Sequence, residues 1–444
     1  MRRIVLPIIA SSTLVAVGVA FAPAAQAVFP NLTLASGTHT INTSTLTIDG
    51  VGSGTNSGGV ATFNFGNVTL QSGASVTVIG SRPLRINATG TIALHGAQIT
   101  STGGSATNFS NSAVAGGNGG GAGGLGRLQH ETGLAGGGPG GGKPGATYYD
   151  GASGGGYGGV GARGGVCPKT DTANCTNVPV TSAPSHGGVA YGNANVALQG
   201  GSGGGGGAAV TGGGGGGSIG LFGSTVTLDS GSLINVSGGT GAVGNGGASG
   251  GGAGGSIVLH GTTVNISSAE LVANGGDGGK GGCCGAGGGG AGGRIGVQFG
   301  TLNLNTVVYV LAAGGQSNIT DTNSCCSTGT YVTDAHGATG AVTFREIHAS
   351  SVSISGPSGV AHGATATVGG RLVDATTRAA IGGVPIKLYR RIGSGSWGVV
   401  ASATTSSSGA VAVHVVVKAG AQFKWVFAGD FANTAASSPV KFIG

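Results

Sequence analysis

Apolar residues fall at alternate positions in a set of short segments along the chain, and three of these segments repeat. SIGLFGSTVTLD from Ser218, SIVLHGTTVNIS from Ser256 and RIGVQFGTLNLN from Arg294 align without gaps at a step of 38 residues. Ile219, Ile257 and Ile295 coincide, as do Leu221, Leu259 and Val297. The same step superposes Val226, Val264 and Leu302, then Leu228, Ile266 and Leu304, with a polar column of Thr227, Asn265 and Asn303 between them. Alternation with period two puts the aliphatic columns on one strand face and the polar column on the other; the spacing of an amphipathic helix is missing. Strands that recur at a fixed step with the same inward positions predict an all-β fold, a parallel β-solenoid (β-helix) in which each coil buries its aliphatics on the next. Upstream, NVTLQSGASVTV from Asn67 and RINATGTIALHG from Arg85 suggest a shorter step of about 18 residues. TLTIDG ending at Gly50 and ATFNF ending at Phe65 read as the first coils.

Between the strands the chain is dominated by glycine, 104 of 444 residues, while only 7% of residues are charged. That balance argues against a helical protein, because glycine is a poor helix former, and against disorder, which needs charge and little apolar content. The downstream coils exit through Ser237-Gly238-Gly239, Asn274-Gly275-Gly276 and Ala313-Gly314-Gly315, and the chain returns through Gly-Gly ahead of Ser218, Ser256 or Arg294. Thr102-Gly103-Gly104 is the same exit, and Gly216-Gly217-Ser218 its return, so residues 105–215 read as one enlarged insert in a series of loops leaving one edge. Ordering such loops costs about 1–2 kcal/mol per residue in backbone entropy. Two states satisfy that constraint: mobile loops, or backbones hydrogen-bonded to one another in extended polyglycine packing. Gly117, Gly120, Gly123 and Gly126, like Gly275, Gly278 and Gly281, keep the step of three that such packing uses.

Residues 1–27 carry Arg2 and Arg3, an apolar run and Ala25-Gln26-Ala27, the pattern of a cleaved signal peptide, and no further span of membrane length follows. Export makes the six cysteines disulfide candidates. Cys167 and Cys175 enclose a short loop, and Cys283-Cys284 and Cys325-Cys326 fall on successive loops; a crosslink between those loops is the preferred arrangement among fifteen possible pairings. Charge sets the second boundary: residues 28–347 hold nine Lys/Arg against ten Asp/Glu, and residues 348–444 eight against two. The basic part also changes texture. SVSIS, TATV, VPIKLYR, WGVVASAT, AVAVHVVV, QFKWVFAG and VKFI are seven short strands separated by turns, the signal for an antiparallel sandwich.

No catalytic constellation is legible. Between Ser218 and Gly315 the carboxylates are Asp229, Glu270 and Asp277, and the 38-residue step stacks Asp229 over Ser267 and Asn305 rather than over a second acid. Gly-x-Ser-x-Gly occurs around Ser153, Ser202 and Ser249, but none follows a strand as a nucleophile elbow must. The histidines are scattered, so neither metal nor cofactor is expected. The densest ligand-type patch is Tyr148, Tyr149, Asp150 and Tyr157 in the insert, where aromatic faces beside a carboxylate would suit a sugar. The bland alternative is that these rings anchor the insert against its own backbone.

The run PLRINATGTIALHGAQITSTGG from Pro83, with the glycine-rich insert and the Gly-Gly-x-Ile returns, resembles a group of exported glycine-rich β-helix proteins of bacteria over about residues 60–347. GRLVDATTRAAIGGVPIKLYRRIGSGSWGVVASATTSSSGAVAV, then FKWVFAGDFANTAASSPVKF, resembles the immunoglobulin-like modules of bacterial secreted and surface proteins over about residues 350–444. The second resemblance implies spacing, display and adhesion, with no catalytic set. The expectation is a secreted, noncatalytic structural or adhesive protein, extracellular or loosely wall-associated. Its expected partner is cell-wall or extracellular polysaccharide rather than nucleic acid. The alternative is a polysaccharide-active enzyme or carbohydrate-binding protein that uses the glycine-rich loop edge.

Overall fold

The computed structural model describes residues 29–126, 131, 133–165, 185–193, 197–281, 285–305, 308–317, 336–430 and 432–443. Residues 1–27 and all six cysteines lie outside the described residues, and the expectations for them with them. The fold is all-β: the described residues form 26 strands in four sheets and no helix, so none is long and apolar enough to cross a membrane.

In the first sheet Ser218–Leu228, Ser256–Ser267 and Arg294–Asn305 lie side by side, parallel and in register. Ile219 pairs with Ile257 and Ile257 with Ile295; Leu221, Leu259 and Val297 form the next column, and all six side chains are fully buried. The columns extend upstream to Leu84 and Ile86 and downstream to Val342 and Phe344. The polar column is hydrogen-bonded along its length: Asn303 Nδ2 donates to Asn265 Oδ1 (2.8 Å) and Asn265 Nδ2 to Thr227 Oγ1 (3.1 Å). A second parallel sheet aligns Val76, Ile99, Ile234, Leu271 and Val310. The inward residues of both sheets form one continuous core. Each aliphatic side chain so buried contributes about 1.5–3 kcal/mol.

Two upstream expectations need correction. Val68 pairs with Ile92 and Phe63 with Ile86, offsets of 24 and 23 residues rather than 18. The two layers between residues 60 and 100 each use three short strands, such as Val60–Phe65, Val68–Leu70 and Ala74–Ile79, and an 18-residue offset superposes the first strand of one layer on the second strand of the other. The first layer is Leu32–Leu34 with Gly37–Asn42, which pair with Val68–Leu70 and Ala74–Ile79. TLTIDG instead contributes Thr47–Ile48, antiparallel to Gly37–Asn42, and Thr55–Ser57 is likewise antiparallel to Val60–Phe65. Short antiparallel segments of this kind cover strand edges that would otherwise offer a template for aggregation.

The glycine-rich segments are packed. Every excursion runs from the end of a second-sheet strand to the start of a first-sheet strand, and the segments lie against one another as extended rods. Residues 250–255 show the rule. Their successive amides donate to Gly205, Gly288, Gly239, Ser202, Ala291 and Val236, so the bonds go to three neighbouring rods in turn with the three-residue period of a polyproline-II helix. Carbonyls of the same rod accept from Gly213 and Gly216, from Gly155 and from Gly276, on three further rods. Six neighbours around one rod leave little room for side chains, and the one side chain on this rod, the Ala253 methyl, packs against Tyr157 and Ala291. A Cβ at Gly252 would fall within 3.0 Å of Gly214 O, Gly214 C and Gly215 N. Glycine is therefore required here for close approach, as at the axis of collagen, and none of the glycines of this rod has a positive φ.

Residues 350–443 form two antiparallel sheets of three and five strands around a second core. All seven expected segments are strands. Trp425 is fully buried, and its Nε1 donates to Gly369 O across to the opposite sheet (3.0 Å).

Candidate functional site

The insert holds the sequence-predicted site residues, and rod packing decides where each one goes. Tyr148 and Tyr149 are half-buried and meet edge to face at 5.3 Å between centroids. Their carbonyls accept from Gly247 and Gly285, which ties the pair to the rods beneath. Burial raises the Tyr148 phenol pKa above its usual value. Asp150 is buried, and its Oδ2 accepts from the amide (3.0 Å) and the hydroxyl (2.8 Å) of Thr147, closing a tight turn. That use of the carboxylate is local and structural.

Tyr157 lies apart from these three. Seven residues of extended chain separate it from Asp150, about 22 Å at 3.1 Å per residue. It is fully buried among Ala253, Ala291 and Tyr191, with ring centroids 4.9 Å from Tyr191. Arg294 lies over the Tyr157 ring at 5.4 Å and donates from Nε (3.1 Å) and Nη2 (2.9 Å) to Tyr191 O. Tyr191 donates its hydroxyl to Gly200 O (2.7 Å) and accepts from Ser202 Oγ (3.0 Å). Burial pushes both the Tyr157 and the Tyr191 phenol pKa up. The structure thus brings Tyr148, Tyr149 and Asp150 together and puts Tyr157 inside the bundle, where its face meets protein. Beside Tyr191, Gln199 and Pro83 lies a shallow cavity of about 150 Å³, less than a drug-sized ligand fills.

By sequence, Arg294 has no role beyond opening its strand. Its register mates are Ser218 and Ser256, whose hydroxyls share a hydrogen bond of 2.7 Å, so the position is one where this column faces the insert. That column, Ser-Ser-Arg after Gly-Gly, was the available signal.

Ser153, Ser202 and Ser249, each in a Gly-x-Ser-x-Gly match, are all buried tie points between rods. Ser153 Oγ donates to His186 O (2.7 Å) and accepts from Lys143 N (2.7 Å). Ser202 Oγ accepts from Gly140 N (3.0 Å), and Ser249 Oγ accepts from Ala242 N (2.9 Å). A hydroxyl is small enough for the lattice and supplies both donor and acceptor.

The carboxylates are spent singly. Asp229 Oδ2 lies 2.6 Å from His95 Nδ1, and Asp277 Oδ1 accepts from Gln316 N (2.7 Å). His39 Nδ1 pairs with Asp49 Oδ2 at 2.8 Å; the hydrogen bond raises the His39 pKa and lowers that of Asp49. His260 is largely buried, and desolvation lowers its pKa although Gln298 Oε1 lies 2.9 Å from Nδ1. Among the described residues no three His, Cys, Asp or Glu side chains gather as metal ligands. The chain matches no family model, no curated protein and no solved structure.

Proposed function

We propose that the chain is a secreted, noncatalytic structural or adhesive protein. In this reading residues 28–347 are a parallel β-helix acting as a stiff stalk, and residues 348–444 are a basic immunoglobulin-like module that contacts cell-wall or extracellular polysaccharide. The observation that carries it is the relay of backbone bonds in which the amides of Gly214, Gly239, Gly252, Gly276, Gly290, Gly315 and Gly337 donate to Gly104, Gly214, Gly239, Gly252, Gly276, Gly290 and Gly315. Each excursion is locked to its neighbours by main-chain bonds that any side chain would break, which suits a load-bearing body and leaves little freedom for a catalytic lid. The charge split, eight cations against two acids after residue 347, supports the contact role of the C-terminal part. Retention of the full chain on isolated cell walls, lost on deleting residues 348–444, is the expected result; equal retention of the truncated chain rejects the anchor assignment. Release of reducing or unsaturated sugars from any polymer overturns the noncatalytic reading.

The half-exposed Tyr148–Tyr149 pair favours a second reading, a carbohydrate-binding edge on the insert. Glycan binding that is unchanged by Tyr148→Ala/Tyr149→Ala excludes it.

A further inference from the structure

The five-stranded sheet of the C-terminal part has an outer face of unusual composition. Along Ala421–Phe427 burial alternates strictly: Ala421, Phe423, Trp425 and Phe427 point into the core, and Gln422, Lys424 and Val426 occupy the other face. Register places Lys387 beside Val426, Tyr389 beside Lys424, and Arg391 beside Gln422, so these six share that outer face. Phe442, 54% exposed, pairs with Gln422 from the next strand. Trp397, in the turn leading to Gly398–Thr404, brings its ring to 4.9 Å from the Arg391 guanidinium carbon and 4.6 Å from Lys424 Nζ. Arg391 Nε donates to Gln422 Oε1 (2.8 Å), which fixes the plane of the guanidinium.

Three cations and three aromatic rings therefore lie on one face that carries no acid. The acids of this part are Asp374, which takes bonds from Thr376 and Thr377 on the other sheet, and Asp430, which takes bonds from Ala432 and Asn433 in a turn. Lys387, Arg391 and Lys424 have no acidic partner among the described residues. Lys387 and Arg391 are four residues apart on one strand, about 13 Å, with Lys424 on the adjacent strand between them. A lone surface cation is ordinary. Cations held against the ring of Trp397, with Tyr389 directly opposite Lys424, form an organised array.

We infer that this outer face binds an acidic polysaccharide of the polyuronate type: Tyr389, Trp397 and Phe442 stack on the apolar faces of the sugar rings, and Lys387, Arg391 and Lys424 pair with their carboxylates. The planar fork of Arg391 suits a carboxylate, and aromatic rings suit the C–H faces of pyranoses. The cations form a short cluster rather than the long basic track that nucleic acid would use, since Arg371 lies on the other sheet and Arg390 turns to donate to Val416 O. This inference rests on the contact role proposed above and names the surface and the ligand class.

The test is binding of the full mature chain to polygalacturonate, to neutral dextran and to a single-stranded oligothymidylate. Polygalacturonate should be bound and dextran should not. Trp397→Ala and the double reversal Lys387→Glu/Lys424→Glu should each weaken polygalacturonate binding at least tenfold, with unchanged Trp425 fluorescence reporting an intact core. Arg371→Glu, on the opposite sheet, should stay within twofold. The inference is overturned if polygalacturonate is not bound, if the outer-face variants bind like the parent, if Arg371→Glu loses as much as they do, or if the oligothymidylate is bound more tightly. Wall retention that needs residues 348–444 but ignores these variants leaves the contact role standing and removes only this surface; retention without those residues removes the contact role itself.

Discussion

Replacing Gly252 by alanine probes the rod lattice at its centre. The amide of Gly252 donates to Gly239 O at 2.9 Å, and its carbonyl accepts from Gly276 N at 2.8 Å. The new methyl would lie within 3.0 Å of three backbone atoms, the farthest being Gly215 N at 2.9 Å, and no flexible side chain stands there to move aside. Relief requires this rod to separate by about 1 Å from the one that holds Gly214, which takes the bonds that Gly213 N and Gly216 N donate to Gly250 O (2.9 Å) and Ala253 O (2.8 Å) beyond useful length. Losing those two buried bonds costs about 1–3 kcal/mol each, and forcing a methyl into a closed space costs about 1–3 kcal/mol, so a loss of roughly 3–9 kcal/mol is expected. At about 1.5 °C per kcal/mol for a unit of about 300 residues, the melting temperature should fall by about 5–13 °C. Gly359→Ala is the control: nothing lies within 4 Å of its added Cβ and its φ is not positive, so a change of no more than about 1 kcal/mol is expected. Calorimetry of both variants decides the matter. A Gly252→Ala protein that melts with the parent would refute the argument that close approach dictates glycine.

Four further outcomes follow from the same geometry. Ser202→Ala strands Gly140 N and weakens the Tyr191 network, and should cost about 1–3 kcal/mol in denaturant unfolding, whereas a catalytic serine would cost activity and little stability. Burial, with a smaller effect from Arg85, lowers the folded-state pKa of His260, and Gln298 and Asp430 oppose it; the unfolded chain therefore takes the proton more readily. Its contribution is full above pH 6.5 and declines as pH falls from there toward the folded value, so His260→Gln should flatten the acid limb of the stability profile. His39 works with the opposite sign: its raised pKa gives a contribution that is full below pH 6.5 and lost as pH rises through the folded value, so His39→Gln should selectively lower stability on the acid side. Trp425→Ala should cost about 3–5 kcal/mol, read by Trp397 fluorescence, because the ring fills the core between the two C-terminal sheets.

What was legible in the sequence was what stacks directly. Ile219, Ile257 and Ile295 could be placed on one column because the step of 38 is exact and the strands pair along their whole length. The upstream layers were misread because the second strand of one layer, around Val68, and the first strand of the next, around Ile86, look alike, and only pairing distinguishes a neighbour along the chain from a neighbour across the sheet. Glycine content announced the excursions without choosing between mobility and packing, since the backbone groups that surround Gly252 come from rods 13 to 38 residues away. The same distance hid the fate of the tyrosines: Tyr148 and Tyr157 are close in sequence, but one ring stays at the edge and the other meets Ala253 and Ala291 inside. The outer face around Trp397 was invisible for a related reason, because Lys424 and Tyr389 become neighbours only through antiparallel register.

Hydrogen–deuterium exchange resolved to peptides within residues 101–126 and 197–217 tests the central claim most directly. If the glycine rods are held by the main-chain bonds described, their amides exchange orders of magnitude more slowly than those of an unstructured chain, comparably to the strands Ser218–Leu228 and Ser256–Ser267. Exchange at the unstructured rate throughout those peptides, beside protected strands, would contradict it.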